Sequence, residues 1–232
     1  MAKSKIKDTI FGEGRSTFLL AGLLSLLFLY PFLLEGSLAQ RLILGFLNVA
    51  ILVAAARAAT RTSRAFLAVI VFLGVPSLGL QITYLLTNNQ IVGDLLSLIF
   101  ATFYLFTIAH VLHYVLAPGQ VTTDKIFGAI AAYILIGLFW AMLYMFLNEL
   151  HPGSFADSAA SNSASRLPPE DLLYFSFVTL TTTGYGDVFP VTAHARSLAI
   201  IEQLAGTFYI AILIARLTGL YQGGRSHRPE RD

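Results

Sequence analysis

Long apolar stretches alternate with short polar ones along most of this chain. A helix needs about 20 mainly apolar residues to cross a bilayer, and six stretches come close to or exceed that length: 17–34, 42–59, 66–86, 91–116, 126–147 and 194–217. One further apolar run, 172–178, lies between the fifth and sixth stretches and is too short to cross. The pattern predicts an all-α integral membrane protein with six transmembrane helices.

The composition agrees with this prediction. Of 232 residues, 56% are hydrophobic and only 12% charged, and the mean hydropathy is +0.72, a balance that ordinary soluble domains do not show. The net charge of +2 gives no reason to expect a nucleic acid. We expect membrane lipids as partners and no soluble substrate. Without cysteine, disulfides, thiolate metal sites and cysteine nucleophiles are excluded.

The distribution of Lys and Arg predicts the orientation of the chain. Cytoplasmic loops carry an excess of both residues. With both termini in the cytoplasm, twelve of the 15 fall on that side, and only Arg41, Arg166 and Arg196 fall outside. We therefore expect a multi-pass protein of the plasma membrane with both termini cytoplasmic.

The first apolar stretch has two interpretations. A retained helix fits its length. A cleaved secretory signal fits the basic start, the apolar core and the small-residue pattern of residues 37–39.

Three arginines at the end of the second stretch also allow two interpretations. Arg57, Arg61 and Arg64 share one helical face, as arginines do in a voltage sensor. Their crowding at one helix end is more typical of anchors on the cytoplasmic side. The fourth stretch, 91–116, contains no Lys or Arg, which argues against a conventional voltage sensor.

A membrane-embedded enzyme is the alternative from another class of protein. His110 and His113 stand one turn apart, a spacing that could serve a metal, but no Asp or Glu beside them completes a site, and packing or interfacial roles are favoured. Asp94 and Glu202 complete a scattered set of candidates, and no Gly-X-Ser-X-Gly elbow is present. We therefore expect no enzymatic activity.

The most informative segment follows the short apolar run. Residues 179–187 read Thr-Leu-Thr-Thr-Thr-Gly-Tyr-Gly-Asp. Backbone that alternates between ordinary and left-handed conformations can point successive carbonyls the same way, and glycine adopts positive φ without steric cost. A row of such carbonyls can replace the water shell of a monovalent cation.

At these residues the chain resembles the potassium channel family, whose pore signature is Thr-X-Gly-Tyr-Gly. The resemblance covers about 126–217. It implies a re-entrant pore helix and filter loop between helices 5 and 6, with potassium ions held by Thr182, Thr183, Gly184 and Tyr185, next to Gly186. No cofactor is expected apart from the permeating potassium ions. One pore segment cannot surround an ion, so we expect a four-fold homotetramer, with a hetero-oligomer as the alternative.

The resemblance also suggests residues that support the filter. Related channels commonly carry two tryptophans where this chain has Tyr174 and Phe175, and one of those tryptophans tethers the filter aspartate. Here Tyr174 could donate its hydroxyl to Asp187 instead.

The last helix contains two further candidates. Gly206 follows Asp187 by 19 residues, the spacing of the gating hinge glycine in similar channels; close helix packing is the alternative. Glu202 lies one turn earlier, where an ionisable group suggests function. We expect pore-helix hydroxyls such as Thr179 or Thr181 as its partners, in a functional or a merely structural hydrogen bond.

These inferences divide the chain into a cytoplasmic segment (1–16), a four-helix unit of unknown role (17–117), a pore domain (118–219) and a short basic tail (220–232). Within the pore domain, 148–166 is rich in small polar residues and predicts a flexible turret. Prolines and acids at 168–171 predict a helix start. The expected function is passive, selective conduction of potassium. A weakly selective cation channel and a subunit silent on its own are the alternatives.

Overall fold

The computed structural model describes residues 14–34, 51, 54, 64–87, 89–119, 121–158 and 166–223. Most of the second apolar stretch, with Arg57 and Arg61, lies outside these residues, as do the first 13 residues, the later half of the turret and the end of the basic tail. The elements in chain order are α1 (Arg15–Leu34), α2 (Arg64–Thr87), α3 (Gln90–Leu116), α4 (Thr123–Leu150), β1 (Phe155–Asp157), α5 (Pro169–Leu180), β2 (Val188–Pro190) and α6 (Ala193–Gly223).

Three of the described helices contain stretches that are long and apolar enough to cross a membrane: Ile91–Leu116, Thr123–Leu150 and Ala193–Arg216. Shorter apolar helical stretches, Ser16–Tyr30 and Val71–Tyr84, lie in α1 and α2. The chain is therefore a membrane protein, and six spans stay a prediction.

Helix starts follow from local side-chain chemistry. The Asn89 side chain accepts a hydrogen bond from the Ile91 amide at the start of α3, and the Thr122 hydroxyl accepts one from the Lys125 amide at the start of α4. Such caps satisfy amides that have no partner within the helix. Helix α5 begins after Pro168, with two acids in its first turn. The predicted start of this helix is thus confirmed.

Helix α4 lies at the centre of the fold, packed against α1, α3, α5 and α6. Several of its residues are fully buried, and small ones are frequent among them: Ala131, Ala132, Leu135, Ala141 and Tyr144. Small side chains let neighbouring helix backbones approach closely in membranes. Helix α4 therefore links α1 and α3 to α5 and α6.

The first half of the turret is ordered, which corrects the expectation of a flexible loop. Strand β1 pairs antiparallel with β2, and Phe155 lies opposite Pro190. The Ser158 amide also donates to the Asp187 carbonyl at 2.7 Å. Because β2 directly follows residues 179–187, this strand pair links the turret to the end of that segment.

Candidate functional site

The backbone between α5 and β2 alternates in handedness. Thr182, Gly184 and Gly186 have φ of +57°, +60° and +79°, while the residues between them do not have positive φ. Thr182 is the one residue other than glycine with positive φ in the described part of the chain. The alternation expected from the glycine spacing is confirmed.

The amides of this segment are held by the end of α5. The Thr183 and Gly184 amides donate to the Val178 carbonyl at 2.9 and 3.3 Å, and the Thr182 amide donates to Thr179 at 3.0 Å. Among the described residues, no donor is hydrogen-bonded to the carbonyls of 182–186. The segment is exposed on the single chain, so these oxygens are available to a ligand.

A tyrosine and a carboxylate meet at the outer end of the segment. The Tyr174 hydroxyl donates to Asp187 Oδ2 at 2.7 Å, the hydrogen bond that the sequence suggested. The Val188 amide donates to the other oxygen at 2.9 Å. The tyrosine hydroxyl and this amide hold the pKa of Asp187 below its ordinary value. The same bond to the carboxylate raises the pKa of Tyr174 to about 12.

The Tyr174 ring also stacks with the ring of Tyr185. The rings of Tyr174 and Tyr185 are parallel within 2°, with centroids 6.4 Å apart. Tyr174 therefore contacts Asp187 through its hydroxyl and Tyr185 through its ring.

Other acids surround this end of the site. Burial, followed by the nearby carboxylates of Glu170, Asp157 and Asp187, raises the pKa of Asp171. Acids on the turret strand, the start of α5 and the filter end thus lie close enough to repel one another. Their combined charge makes this surface favourable to cations.

A second tyrosine and carboxylate meet behind α5. Glu202 of α6 is fully buried, and its oxygens accept hydrogen bonds from Ser176 at 2.6 Å and from Tyr144. The Ser176 hydroxyl also lies 2.8 Å from the Gly137 carbonyl. The network joins α4, α5 and α6 around one carboxyl group.

A hydroxyl of α5 does bind Glu202, as expected, but Thr179 and Thr181 were the wrong residues. Ser176 takes the place of Thr179 or Thr181, about one helical turn earlier on α5, and Tyr144 comes from α4. Hydrophobic patterning indicates which face of a helix is buried. How far a neighbouring helix is shifted along that face depends on long-range packing. The lone tyrosine and serine carried no sequence signal of their own.

Gly206 lies against the end of α5. A Cβ placed on Gly206 would clash with the Leu180 carbonyl oxygen and lie 3.0 Å from the Leu180 side chain. The Tyr133 hydroxyl donates to the same carbonyl at 3.1 Å. Close packing accounts for a glycine at this position, and the hinge stays a prediction.

Sequence reasoning missed the aromatic cluster beside this network. Tyr144, Phe155 and Phe175 meet with ring centroids 5.1–5.4 Å apart, and Phe155 is completely buried. Phe155 is the single Phe, Tyr or Trp in the largely polar turret, and this was the available signal, since a large apolar ring needs a place to be buried. Phe155 thereby fixes the turret to α4 and α5.

The enzyme candidates do not come together. Asp94, His110 and His113 lie on α3, while Glu202 lies on α6 among hydroxyl groups. Within the described ranges, no group of three or more His, Asp or Glu residues could hold a metal ion.

Comparisons with known proteins identify the same region. The family model described as "Ion channel" matches residues 129–222. Protein LctB of Bacillus caldotenax is 36% identical over 101 residues, which make up 43% of this chain and 75% of LctB. No solved structure matches the chain significantly.

Two further relatives are potassium channels by name. Two pore potassium channel c of Oryza sativa subsp. japonica is 37% identical over 84 residues, 36% of this chain and 17% of that protein. Potassium channel protein kcv of Paramecium bursaria Chlorella virus 1 is 27% identical over 81 residues, 34% of this chain and 85% of the viral protein. These matches lie with ion channels and not with enzymes. The chain belongs to one family with LctB, and its similarity to the two named potassium channels supports a potassium channel family.

Proposed function

We propose that the protein is a potassium-selective channel that conducts passively through the pore of a homotetramer. The observation that carries this proposal is the alternating handedness of Thr182 to Gly186. The carbonyls of Thr182, Thr183, Gly184 and Tyr185, with the Thr182 hydroxyl at the inner end, provide the stacked ion sites. Gly186 completes the alternation at the outer end.

The conformation of Thr182 supports a functional role for this segment. Left-handed backbone costs a residue other than glycine roughly 1–2 kcal/mol, and such strain concentrates at ligand sites. Four copies of each carbonyl around an axis can replace the hydration of potassium. Several sites in series let an arriving ion displace the next one.

Exposed apolar surface on α6 supports assembly. Large side chains along this helix are about half exposed or more on the single chain, namely Ile200, Ile201, Leu204, Phe208 and Ile212. A surface of this kind requires cover by lipid or by further copies. A mass of four chains for the purified complex is the expected result.

The remaining sequence-based assignments form part of the same proposal. Helix α5 enters the membrane and returns through the filter, with the negative end of its dipole directed at the ion path. The pore domain is 118–219, behind a cytoplasmic segment (1–16) and the four-helix unit (17–117). Both termini, including the tail at 220–232, face the cytoplasm of a cell whose plasma membrane holds the channel.

Ion flux from liposomes tests the function. We expect liposomes containing the protein to release potassium much faster than sodium. The Gly184→Ala variant should lose this preference, because alanine resists the φ of +60° even though no atom within 4 Å blocks its Cβ. Gly79→Ala is the matched control, since Gly79 also has open space and lacks a positive φ.

Other outcomes identify the alternatives. Equal release of both ions by the wild type would indicate a weakly selective cation channel. A tetramer that releases neither ion would indicate a silent subunit. An unchanged potassium preference in Gly184→Ala would contradict the role assigned to the filter segment.

A further inference from the structure

Three candidate spans end at one place in the fold, far along the helices from the filter. The span in α3 ends at Leu116, that in α4 begins at Thr123, and that in α6 ends at Arg216. A cavity that opens outward lies between these ends. Its volume is about 450 Å³ when the open space in front of it is counted. Its walls are apolar apart from Lys125 and Arg216: Val115, Val121, Ile126, Ala129, Ile130 and Leu213.

The last carbonyls of α3 hold both cations at this cavity. Lys125 Nζ donates to the Ala117 carbonyl at 2.8 Å, and Arg216 Nη2 donates to the Leu116 carbonyl at 2.6 Å. Cations are favourable at a helix C-terminus, where the dipole is negative. The two side chains are thereby fixed at the edge of the cavity.

Hydrogen-bond donors remain on these side chains. An ammonium group carries three donors and a guanidinium group five, and one contact each to α3 leaves most of them unused. Arg216 Nε is buried and has no hydrogen-bond partner within the described part of the chain. An unpaired charged donor beside an apolar cavity is costly unless an acceptor enters.

The nearest acid in sequence is already engaged elsewhere. Asp124 accepts from the Ser16 amide at 2.9 Å and the Ser16 hydroxyl at 3.1 Å, and from Tyr114 at 2.8 Å. Both of its oxygens are used at the start of α1. The cavity is therefore lined by two cations and no carboxylate.

We propose that this cavity binds an anionic phospholipid. Lys125 and Arg216 hold the phosphate of the headgroup, and an acyl chain lies along Ile126, Ile130 and Leu213. Basic pockets between helices at the cytoplasmic side are suited to such headgroups. Apolar walls at the ends of three spans favour a lipid over a soluble phosphate. The inference uses the membrane placement of the helices and does not depend on potassium selectivity.

Native mass spectrometry of the full chain in detergent tests the proposal. The protein is titrated with phosphatidylglycerol and with phosphatidylcholine of the same acyl chains. We expect the wild type to prefer phosphatidylglycerol. Arg216→Gln and Lys125→Gln should each reduce that preference by about fivefold, the effect of one cation near an anionic lipid.

Two further variants separate charge at this site from charge elsewhere. Arg196→Gln removes a cation from the opposite end of α6, where Arg196 donates to the Pro190 carbonyl, and should leave the preference unchanged. Arg216→Lys keeps the charge and should retain most of the preference. If Arg216→Gln does not fold, Lys125→Gln and Arg216→Lys decide the question.

Three results would overturn the proposal. One is a wild type without preference between the two lipids. Another is a preference that survives in Lys125→Gln and Arg216→Gln, as expected if another copy of the chain fills the cavity. The third is displacement of the lipid by inorganic phosphate, which would assign the site to a soluble anion.

Discussion

Two tyrosine and carboxylate pairs lie at helix α5, at different depths in the protein. Tyr174 and Asp187 meet at the outer end of the filter, where the tyrosine is 38% exposed. Tyr144 and Glu202 meet behind the helix, where both residues are fully buried. The same chemical contact therefore occurs once near water and once in the interior.

The difference in burial predicts a difference in role. Water can replace a lost partner at the outer pair, so breaking it should alter local order without unfolding the protein. A buried polar group that loses its partner costs about 1–3 kcal/mol. The inner pair should therefore determine stability, and the outer pair the behaviour of the filter mouth.

Removal of the inner carboxyl group should have the largest effect. Glu202→Ala leaves a space, which costs about 2–5 kcal/mol for a large side chain in a packed interior, and deprives the buried Tyr144 hydroxyl of its acceptor. We expect a strong fall in the thermal midpoint of the purified protein. Wild-type stability would refute the structural role of this network.

Glu202→Gln is the matched control. Glutamine has nearly the same volume, can accept from Tyr144, and can donate to the Ser176 hydroxyl while that hydroxyl donates to Gly137. Stability close to wild type is expected. Unaltered conductance and pH response in this variant would show that the hydrogen bonds, and not the charge, are what the channel needs.

Gly206→Ala should have the next largest effect. Its Cβ would clash with the Leu180 carbonyl oxygen, and forcing extra volume into a packed region costs about 1–3 kcal/mol. Thermal unfolding measures the loss, with Thr207→Ala at an exposed neighbouring position as the control. Normal stability with altered channel opening would favour the hinge instead.

Tyr174→Phe should have a smaller effect that is confined to the filter mouth. The ring can still stack on Tyr185, while Asp187 loses the hydroxyl. We expect the slow inactivation of potassium currents to proceed at a higher rate, with little change in thermal stability. If Tyr174→Phe and Asp187→Asn act through one bond, the double variant should resemble either single one, and additive effects would argue against the tether.

The pH response of the outer pair should be the smallest effect in the wild type. A carboxylate with a lowered pKa contributes its full stabilising effect when the pH is above its ordinary pKa. That effect is lost only as the pH falls through the lowered value. Currents should therefore tolerate external acid below the usual range of an aspartate. The tyrosine keeps its proton up to about pH 12.

Tyr174→Phe sharpens the pH prediction. Without the hydroxyl, the pKa of Asp187 should return upward, so acid should affect the variant at a higher pH than the wild type. The rate of current decay, measured as a function of external pH in the wild type and in the variant, gives the two profiles. Identical profiles would show that Asp187 protonation does not influence the filter.

The two pairs also differ in how far the sequence predicted them. Tyr174 and Asp187 are 13 residues apart in one helix and loop unit, and local geometry combined with the family resemblance was enough to connect them. Tyr144 and Glu202 are 58 residues apart. Their meeting depends on how three helices pack, which apolar patterning does not specify.

The turret illustrates the same limit. Strand β1 has only three residues, too few for a propensity signal, and it becomes ordered through pairing with β2 and burial of Phe155. The helices were easier to predict, because each apolar stretch carries its own signal. The alternating backbone of residues 182–186 was easiest to predict, since two glycines at alternate positions indicate that conformation directly.

The reversal potential in reconstituted bilayers, with potassium and sodium gradients opposed, tests the central claim most directly. We predict a value near the potassium equilibrium potential for the wild type and for Gly79→Ala, and its loss in Gly184→Ala. A wild-type value that follows sodium and potassium equally, or a Gly184→Ala value equal to that of the wild type, would contradict a filter built from the alternating backbone of residues 182–186.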